Sequence, residues 1–390
     1  MKKIITFLLL LIFSVFFTNV CKAQTSYWKI FGKIKNEKGI PLSLASVFVS
    51  NSTKGSTTDS SGNFSIKGLS NGNYNLIVSF IGYQTQIYPI AIDSKNDSVL
   101  FVMKENEKEL EDVVINLKNG NRNDQLKTFR KAFIGTDKNA KETQILNDSI
   151  LKLHTTSEGK ISAHTNDLLQ ITNNALGYKI KYLLKEFSYD KKSGGLHYLG
   201  YPLFEEMQPT SKSQKKDWDE NREKIYQSSL LRFYRTLRKR DLIQEGYIIG
   251  QLLLPEGNNA SQGGGLSKKI NVPTNGFLLT VAGQQYIDTL LWPEIPYYRL
   301  ITALPGHKYR LNFSGMISVD ATNAKNSVHS TDFYKPGAKT SIISLEQPVE
   351  INENGLPNDP SKVIMYGYWI DSRISDLLPF DYHPAGEKSN

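Results

Sequence analysis

The regular alternation of apolar and polar residues between Trp28 and Lys104 constrains the fold more than any other feature of the sequence. Within residues 74–80 every second residue is apolar, which is the period of a strand with one buried face. Short runs rich in Gly, Asn, Asp and Ser separate such segments at residues 36–39, 57–63 and 70–73. Short strands that recur at this spacing predict a compact all-β sandwich.

The turns and strands of this segment also carry a characteristic set of residues. The set is Gly32, Ile34, Gly39, Pro41, Leu42, Ala45, Val47, Gly55, Thr58, Asp59, Gly62, Phe64, Gly72, Tyr74, Leu76, Ile81, Gly82 and Tyr83. It resembles a carboxypeptidase regulatory-like domain. The resemblance implies a transthyretin-like (prealbumin-like) β-sandwich over residues 27–105, a fold common in envelope proteins of Gram-negative bacteria. It indicates a fold and says little of function, since one fold hosts many activities.

These residues also have a purely structural explanation. Gly62 and Gly72 allow the positive φ of tight turns, and Asp59 can accept hydrogen bonds within its own turn. We expect Phe64, Tyr74 and their neighbours in the alternation to face one core. The set is therefore interpreted as the skeleton of the domain and not as a ligand site.

The region after the sandwich begins with a predicted linker at residues 106–123. Within it, Leu110–Ile115 resembles the segment that follows the same domain in starch-utilisation-type TonB-dependent receptors. Residues 124–390 are predicted to form a larger β-rich (α+β) domain. Parts of residues 133–180 resemble a second region that recurs in exported proteins of this kind and has no assigned role. The expected fold class is thus mainly β, with a transthyretin-like sandwich followed by a larger β-rich domain.

One long helix is predicted in that larger domain, at residues 217–245. Asp217 and Glu220 form a start that resembles a capping box. An apolar stripe with helical spacing follows, at Tyr226, Leu230, Phe233 and Leu237.

The first twenty-three residues read as a secretory signal peptide. Lys2 and Lys3 precede an almost wholly apolar run at residues 4–17, and small residues precede a cleavage position before Gln24. This predicts an exported protein that is periplasmic, associated with the outer membrane, or secreted. Lipid attachment at Cys21 is the alternative, although the residues before Cys21 make a poor lipidation signal.

The charge and the cysteine content exclude several classes of function. Cleavage of the signal would remove Cys21, the single cysteine, together with three lysines, so that the net charge falls from +9 to +6. The remaining chain would have no disulfide, no catalytic thiol and no cysteine-ligated metal. An exported chain without a stripe of basic residues and interleaved aromatics is not expected to bind nucleic acid.

No familiar catalytic motif appears in the sequence. None of the six histidines is followed three residues later by Glu, so the zinc-binding pair of the carboxypeptidases is missing. Zincin, serine-hydrolase and phosphate-loop motifs are also absent from the sequence. We therefore predict a non-catalytic protein that needs no cofactor or metal.

Three groups of residues are candidates for binding. The basic group could hold an acidic partner or lipid phosphate, or could be a solvated helix face that complements the helix dipole. It comprises Arg232, Arg235, Arg238, Lys239 and Arg240. Three tryptophans could stack on sugar rings or lie in a core. They are Trp218, Trp292 and Trp369. A C-terminal group could hold a hard cation or simply cap a short helix. It comprises Asp371, Asp376, Asp381 and His383.

The sequence thus predicts an exported envelope protein that binds or assembles with a protein partner or a glycan through edge strands and loop faces. The rival class is a hydrolase, acting on peptides or glycans, with an unrecognised site in residues 124–390. Clustered acids with shifted pKa values in a deep pocket would favour the hydrolase. A shallow aromatic or basic face would favour binding.

Overall fold

A computed structural model gives the arrangement of the chain. It describes residues 27–93, 95–106, 121–156, 158–192, 194–242, 244–253, 276–281, 284–290, 299–305, 308–321, 340–352, 354–359, 362–385 and 387. For residues 253, 276–281, 284–290, 321 and 371 it describes the backbone. The predicted signal peptide with Cys21, most of the predicted linker, and Trp292 lie outside the described residues.

The N-terminal part is a β-sandwich of seven strands in two sheets. The strands are β1 (Trp28–Asn36), β2 (Ser46–Val49), β3 (Gly55–Thr57), β4 (Asn63–Leu69), β5 (Gly72–Ser79), β6 (Gln86–Ile92) and β7 (Asp97–Met103). One sheet has the order β4-β1-β7, with β1 antiparallel to β4 and parallel to β7. The other has the order β3-β2-β5-β6. The sandwich predicted from the alternation is confirmed.

Local chemistry explains how these strands are joined. The Asp59 carboxylate accepts hydrogen bonds from the backbone of Ser61 and Asn63 at 2.9 Å, as predicted for its own turn. Gly62 follows with φ of +77°, and a Cβ there would lie 2.4 Å from the carbonyl oxygen of Ile34. Glycine is therefore required at position 62. The turn aligns β4 with β1, so that Phe64 and Ile34 share the sandwich core.

A second core forms around a sheet with the strand order β8-β11-β12-β10-β9, to which β13 adds beside β12. Its strands are β8 (Thr143–Ile145), β9 (Lys152–Thr155), β10 (Lys160–His164), β11 (Leu169–Asn173), β12 (Tyr178–Asp190) and β13 (Leu196–Glu206). Helix α1 (Arg122–Phe133) packs on this sheet through Phe129 and Phe133, and α2 (Lys138–Lys141) follows it. The Asn121 side chain caps α1 by accepting a hydrogen bond from the backbone N–H of Asn123.

The helix predicted at residues 217–245 is in fact two helices, α3 (Lys212–Gln227) and α4 (Leu230–Lys239). The hydroxyl of Ser211 caps α3, so this helix begins before Asp217. Ser229 separates the two helices, since its hydroxyl donates to the Tyr226 carbonyl and accepts from the Arg232 amide. A serine side chain that bonds to nearby backbone ends one helix and caps the next. The single-helix prediction was wrong for this reason.

A third core lies between α4 and two further sheets, with the orders β15-β16-β14-β19-β20-β22 and β17-β18-β21. The strands are β14 (Tyr247–Leu253), β15 (Gly276–Val281), β16 (Gln284–Leu290), β17 (Ile301–Leu304), β18 (Lys308–Leu311), β19 (Met316–Ala321), β20 (Thr340–Leu345), β21 (Val349–Ile351) and β22 (Val363–Gly367). The mainly β fold class is confirmed. Among the described residues, no helix combines the length and the apolar character needed to cross a bilayer.

The C-terminal segment contacts each core in turn. Helix α5 (Tyr368–Asp371) places Trp369 in the third core, and a 3-10 turn (Ile374–Asp376) places Ile374 in the second. Phe380 then enters the sandwich core, where its ring centre lies 5.9 Å from that of Tyr74. We call residues 368–387 the C-terminal tail. This tail fastens the sandwich to the rest of the protein.

Candidate functional site

The predicted basic group does not form one binding face. Arg235 is buried, and its guanidinium donates to the carbonyl oxygens of Phe380 at 2.6 Å and Tyr382 at 2.8 Å. Arg232 is nearly buried and pairs with the carboxylate of Glu245 at 2.6 Å. These two arginines hold the protein together and are not free to bind a partner, which corrects the prediction for them.

The remaining basic residues of the group are more exposed but point to separate neighbours. The Arg238 guanidinium lies 5.6 Å from the ring centre of Tyr309. Lys239 forms an ion pair with Glu387 of the C-terminal tail at 2.8 Å. Arg240 is exposed and ends α4 in the left-handed conformation, with φ of 63°. Arg238 and Lys239 thus contact different parts of the protein.

Two of the predicted tryptophans are core residues. Trp218 is buried, and its indole N–H donates to the carbonyl of Asn174 at 2.6 Å. Trp369 is also buried, with its N–H donated to the carbonyl of Ser228 at 2.9 Å. A ring enclosed in this way cannot stack on a sugar. The prediction of a sugar platform was therefore wrong for Trp218 and Trp369.

The predicted C-terminal acidic group is divided between two contacts of the tail. Asp376 accepts a hydrogen bond from the side chain of Asn139 at 2.8 Å. Asp381 accepts one from the backbone of Thr53 at 2.9 Å and lies 3.6 Å from the Lys54 ammonium. Within the described part of the chain, no three Asp, Glu, His or Cys side chains gather as metal ligands would. The aspartates fasten the tail to two different parts of the protein.

Burial, with a further contribution from the nearby carboxylate of Asp137, raises the pKa of Asp376 to about 6 against the lowering by Asn139 and Lys224. The folded protein thus binds this proton more tightly than the unfolded chain, so the stabilisation is complete below pH 3.8 and is lost as pH rises through about 6. Asp376→Asn keeps the oxygen that accepts from Asn139 but carries no charge. We expect it to raise the free energy of unfolding at neutral pH by about 1 kcal/mol, since the site is partly exposed.

Urea unfolding at several pH values measures this effect. The advantage of Asp376→Asn should vanish at pH about 3, below the unfolded-state pKa of 3.8, where the wild-type carboxyl is largely protonated in both states. Asp381→Asn on the same tail is the matched control, and we expect it to lose stability at neutral pH, because it weakens the contact with Lys54. An equal gain from Asp376→Asn at both pH values would contradict the assignment.

The two outer faces of the sandwich have different surroundings, which the sequence did not predict. On the β3-β2-β5-β6 sheet, Phe48 and Ile77 pack against Leu183 and Leu203 of the β12–β13 hairpin. Backbone hydrogen bonds extend this junction, for example from Phe204 N to the carbonyl of Ser52 at 2.9 Å. This face is therefore covered by the rest of the chain.

On the outer face of the β4-β1-β7 sheet most side chains are exposed among the described residues, and we call it the open face. Its outward positions alternate with core residues along each strand. They are Lys29, Phe31, Lys33 and Lys35 on β1, Asn63, Ser65 and Lys67 on β4, and Ser98, Leu100 and Val102 on β7. None of these ten residues is acidic, so the face is basic with apolar side chains at its centre and edge.

The register of the strands sets the layout of the open face. Phe31 on the central strand lies between Ser65 and Ser98. Lys33 is next to it on the same face, between Asn63 and Leu100. Phe31 is 40% exposed and Leu100 is 58% exposed. An open hollow of about 530 Å³ lies here, lined by these side chains and by the backbone at Gly32.

The Asp59 carboxylate at the end of this sheet is already engaged. Backbone and side-chain hydrogen bonds from Asn63 are the main causes that lower the pKa of Asp59, and Lys33 lowers it further through its charge. The carboxylate is thus held by its own turn at the end of the sheet. Among the described residues, Lys29, Lys33 and Lys67 form no ion pair. Their charge is available to an anion from solution.

Comparison with known proteins agrees with this architecture. Residues 30–115 match the CarboxypepD_reg-like domain family. The sandwich is a carboxypeptidase regulatory-like domain. The TonB-dependent receptor P39 of Formosa agariphila is 37% identical over 86 residues, which are 22% of this chain and 8% of the receptor. This chain thus spans only a small fraction of the length of this curated relative.

Matches to solved structures have low scores. A cohesin–X-dockerin complex of Acetivibrio cellulolyticus is 22% identical over a match covering 19% of this chain and 56% of that chain, with a TM-score of 0.18. BcpA, the major pilin subunit of Bacillus cereus, is 11% identical, with coverages of 84% and 95% and a TM-score of 0.19. Scores of this size carry no functional inference.

Proposed function

We propose that the protein is a non-catalytic binding or assembly protein of the cell envelope, and that it acts through the open face of its regulatory-like domain. The partner is a protein or a glycan outside the cytoplasm. Residues 121–387 serve as the scaffold that supports the domain and leaves this face accessible.

The main support for this proposal is the difference between the two outer faces of the sandwich. The chain covers the face with Phe48 and Ile77, whose apolar side chains need burial. The part of the chain that the structure describes leaves uncovered the other face, on which Phe31, Leu100 and Val102 are exposed among lysines. Exposed apolar side chains grouped on one surface mark a site of interaction more often than a random feature of the surface.

An envelope location is supported by two independent observations. The first twenty-three residues have the pattern of a signal peptide. The curated relative that is 37% identical over 86 residues is a TonB-dependent receptor, which is an envelope protein. We propose a periplasmic or outer-membrane-associated protein, with lipid attachment at Cys21 as the less favoured form.

The hydrolase is the second candidate, because Asp376, whose pKa is raised, lies beside the carboxyl group of Asp137. Internal contacts occupy this pair, with Asn139 bonded to Asp376 at 2.8 Å and Ser375 near Asp137 at 3.4 Å. It therefore acts as a contact between the tail and α2. We expect no release of C-terminal residues from peptides, with or without added zinc, measured by mass spectrometry. Zinc-dependent release that is lost in Asp376→Asn would favour the hydrolase.

Charge reversal on the open face tests the proposed function. Lys33→Glu combined with Lys67→Glu should reduce binding to envelope fractions at least about fivefold, because two attractive contacts become repulsive. The control combines Lys38→Glu with Lys192→Glu, two exposed loop lysines, and changes the net charge equally. Co-sedimentation with membranes and cell-wall material from the producing cells measures the bound fraction. Equal losses in both variants would contradict a role for the open face.

A further inference from the structure

The open face contains a repulsive pair of charges that its own fold does not neutralise. Lys29 on β1 lies directly opposite Lys67 on β4. Like charges in such cross-strand positions destabilise a sheet. Lys33 and Lys35 lie further along β1 on the same face, and successive residues on one face of a strand are about 7 Å apart. This row of ammonium groups favours an elongated ligand with several negative charges.

The centre of the face has the chemistry of a sugar-binding surface. Phe31 presents an aromatic ring that is 40% exposed, and the Lys29 ammonium lies 5.0 Å from its centre. Hydroxyl-bearing Ser65 and Ser98 stand on either side of the ring. Aromatic rings pack on the C–H face of a sugar, while hydroxyl and amide groups bind its hydroxyls. Lysines next to such a ring select sugars that carry an anionic group.

An acidic peptide that adds as a strand at the β7 edge fits this surface less well. The edge of β7 is partly occupied, since the Gln86 side chain donates to the carbonyl of Val102 at 2.8 Å. Beyond it, Gln84 N bonds to the carbonyl of Lys104, and Asn106 N bonds to that of Gly82, both at 2.8 Å. Strand addition needs a free row of backbone groups. The remaining free edge of β7 is short.

A bilayer surface also fits poorly. Membrane-inserting surfaces project apolar side chains from their centre. Here the residues on both sides of Phe31 are serines, and Asn63 lies beside Lys33. Polar groups at the centre of the face would lose their hydration against acyl chains.

We propose that the open face binds an anionic polysaccharide, with a sugar ring on Phe31 and its carboxylate or sulfate groups on Lys29, Lys33 and Lys67. This inference rests on the proposed function and specifies the ligand of the same surface.

Binding of the purified protein to defined polysaccharides tests the inference. The probes are polygalacturonate for carboxylates, dextran sulfate for sulfates and unmodified dextran as the neutral control, each measured by affinity electrophoresis. We expect binding to at least one anionic probe and none to dextran. Raising the salt concentration should weaken the binding.

Substitutions on the open face distinguish binding at a specific site from general attraction between opposite charges. Lys29→Gln combined with Lys67→Gln should weaken binding about tenfold, and Phe31→Ala about threefold, as expected for two ion pairs and one stacking contact. The matched controls are Lys38→Gln with Lys192→Gln for charge, and Tyr88→Ala for an aromatic residue that is 42% exposed on the other sheet. These controls should retain wild-type affinity. Circular dichroism verifies that each variant is folded.

The experiments distinguish a failure of this inference from a failure of the proposed function. Equal weakening by the open-face variants and the controls would overturn the inference, since it indicates adsorption by net charge. Absence of binding to both anionic probes, with the charge-reversal variants still defective on envelope fractions, would also overturn it while leaving the open face as a protein-binding surface. Loss of affinity in the open-face variants alone supports it.

Discussion

Arg235→Ala should lower the free energy of unfolding by about 3 kcal/mol, because it removes a buried cation and leaves its acceptors without partners. The guanidinium donates to the carbonyls of Phe380 and Tyr382 and to the hydroxyl of Tyr226 at 3.3 Å. Its carbon chain also packs beside Gly355, where a Cβ would lie 3.1 Å from Arg235 Cγ. Truncation to Ala loses the hydrogen bonds and leaves a cavity.

Arg240→Ala is the matched control, because Arg240 is exposed at the end of the same helix. We expect a change within about 0.5 kcal/mol for it, as for most surface substitutions. Arg235→Lys should remain destabilised, since an ammonium cannot reproduce the planar set of donors. Urea unfolding followed by tryptophan fluorescence measures all three. Equal stability of Arg235→Ala and Arg240→Ala would show that the tail does not depend on Arg235.

The position of Arg235 explains why its loss should affect the whole protein. The residue belongs to α4, which packs on the third core through Phe233 and Leu237. It holds the tail at Phe380, and Phe380 packs in the sandwich core. One side chain therefore connects the scaffold, the tail and the regulatory-like domain. Weakening this connection would disturb the orientation in which the open face is presented.

Features of the sandwich were predictable because they depend on local sequence. The alternation along β5 determines which side chains face the core, and the Asp59 turn forms from residues within four positions. The division of the helix at Ser229 was also encoded locally, by a serine that can cap a new helix. The apolar stripe continues from Tyr226 to Leu237 across this break, so its periodicity alone predicts a single helix.

Features that depend on distant contacts were not predictable. The side chain of Arg235 is buried by residues about 145 positions later in the chain. Trp218 is enclosed by a turn 44 residues earlier. The open face could be anticipated as a lysine-rich set of outward positions, but its exposure depends on the β12–β13 hairpin covering the opposite sheet at Phe48. The periodicity of the sequence shows which residues share a face of a sheet, but it does not show which elements pack on that face.

The second large effect is expected at Gly177, in the turn between β11 and β12. Its φ is +67°, and a Cβ there would lie 2.3 Å from a ring atom of Trp218. Trp218 cannot easily move aside, because its indole N–H is bonded to Asn174 and its ring is buried. Arg222, one turn along α3, also donates to the carbonyl of Gly177 at 3.2 Å. The turn and the helix thus form one tightly packed contact.

Gly177→Ala should therefore lower the free energy of unfolding by about 4 kcal/mol, of which about 1 kcal/mol is the backbone strain of a left-handed alanine and the rest is the displacement of Trp218. Gly194→Ala separates the two contributions, because Gly194 has φ of +73° and nothing lies within 4 Å of an added Cβ. This control should lose only about 1 kcal/mol. Urea unfolding measures both variants, and the fluorescence of the native state should change in Gly177→Ala alone. If the two variants were equally stable, the contact between Trp218 and the turn would be looser than described, and α3 would not be fixed to the second core through this glycine.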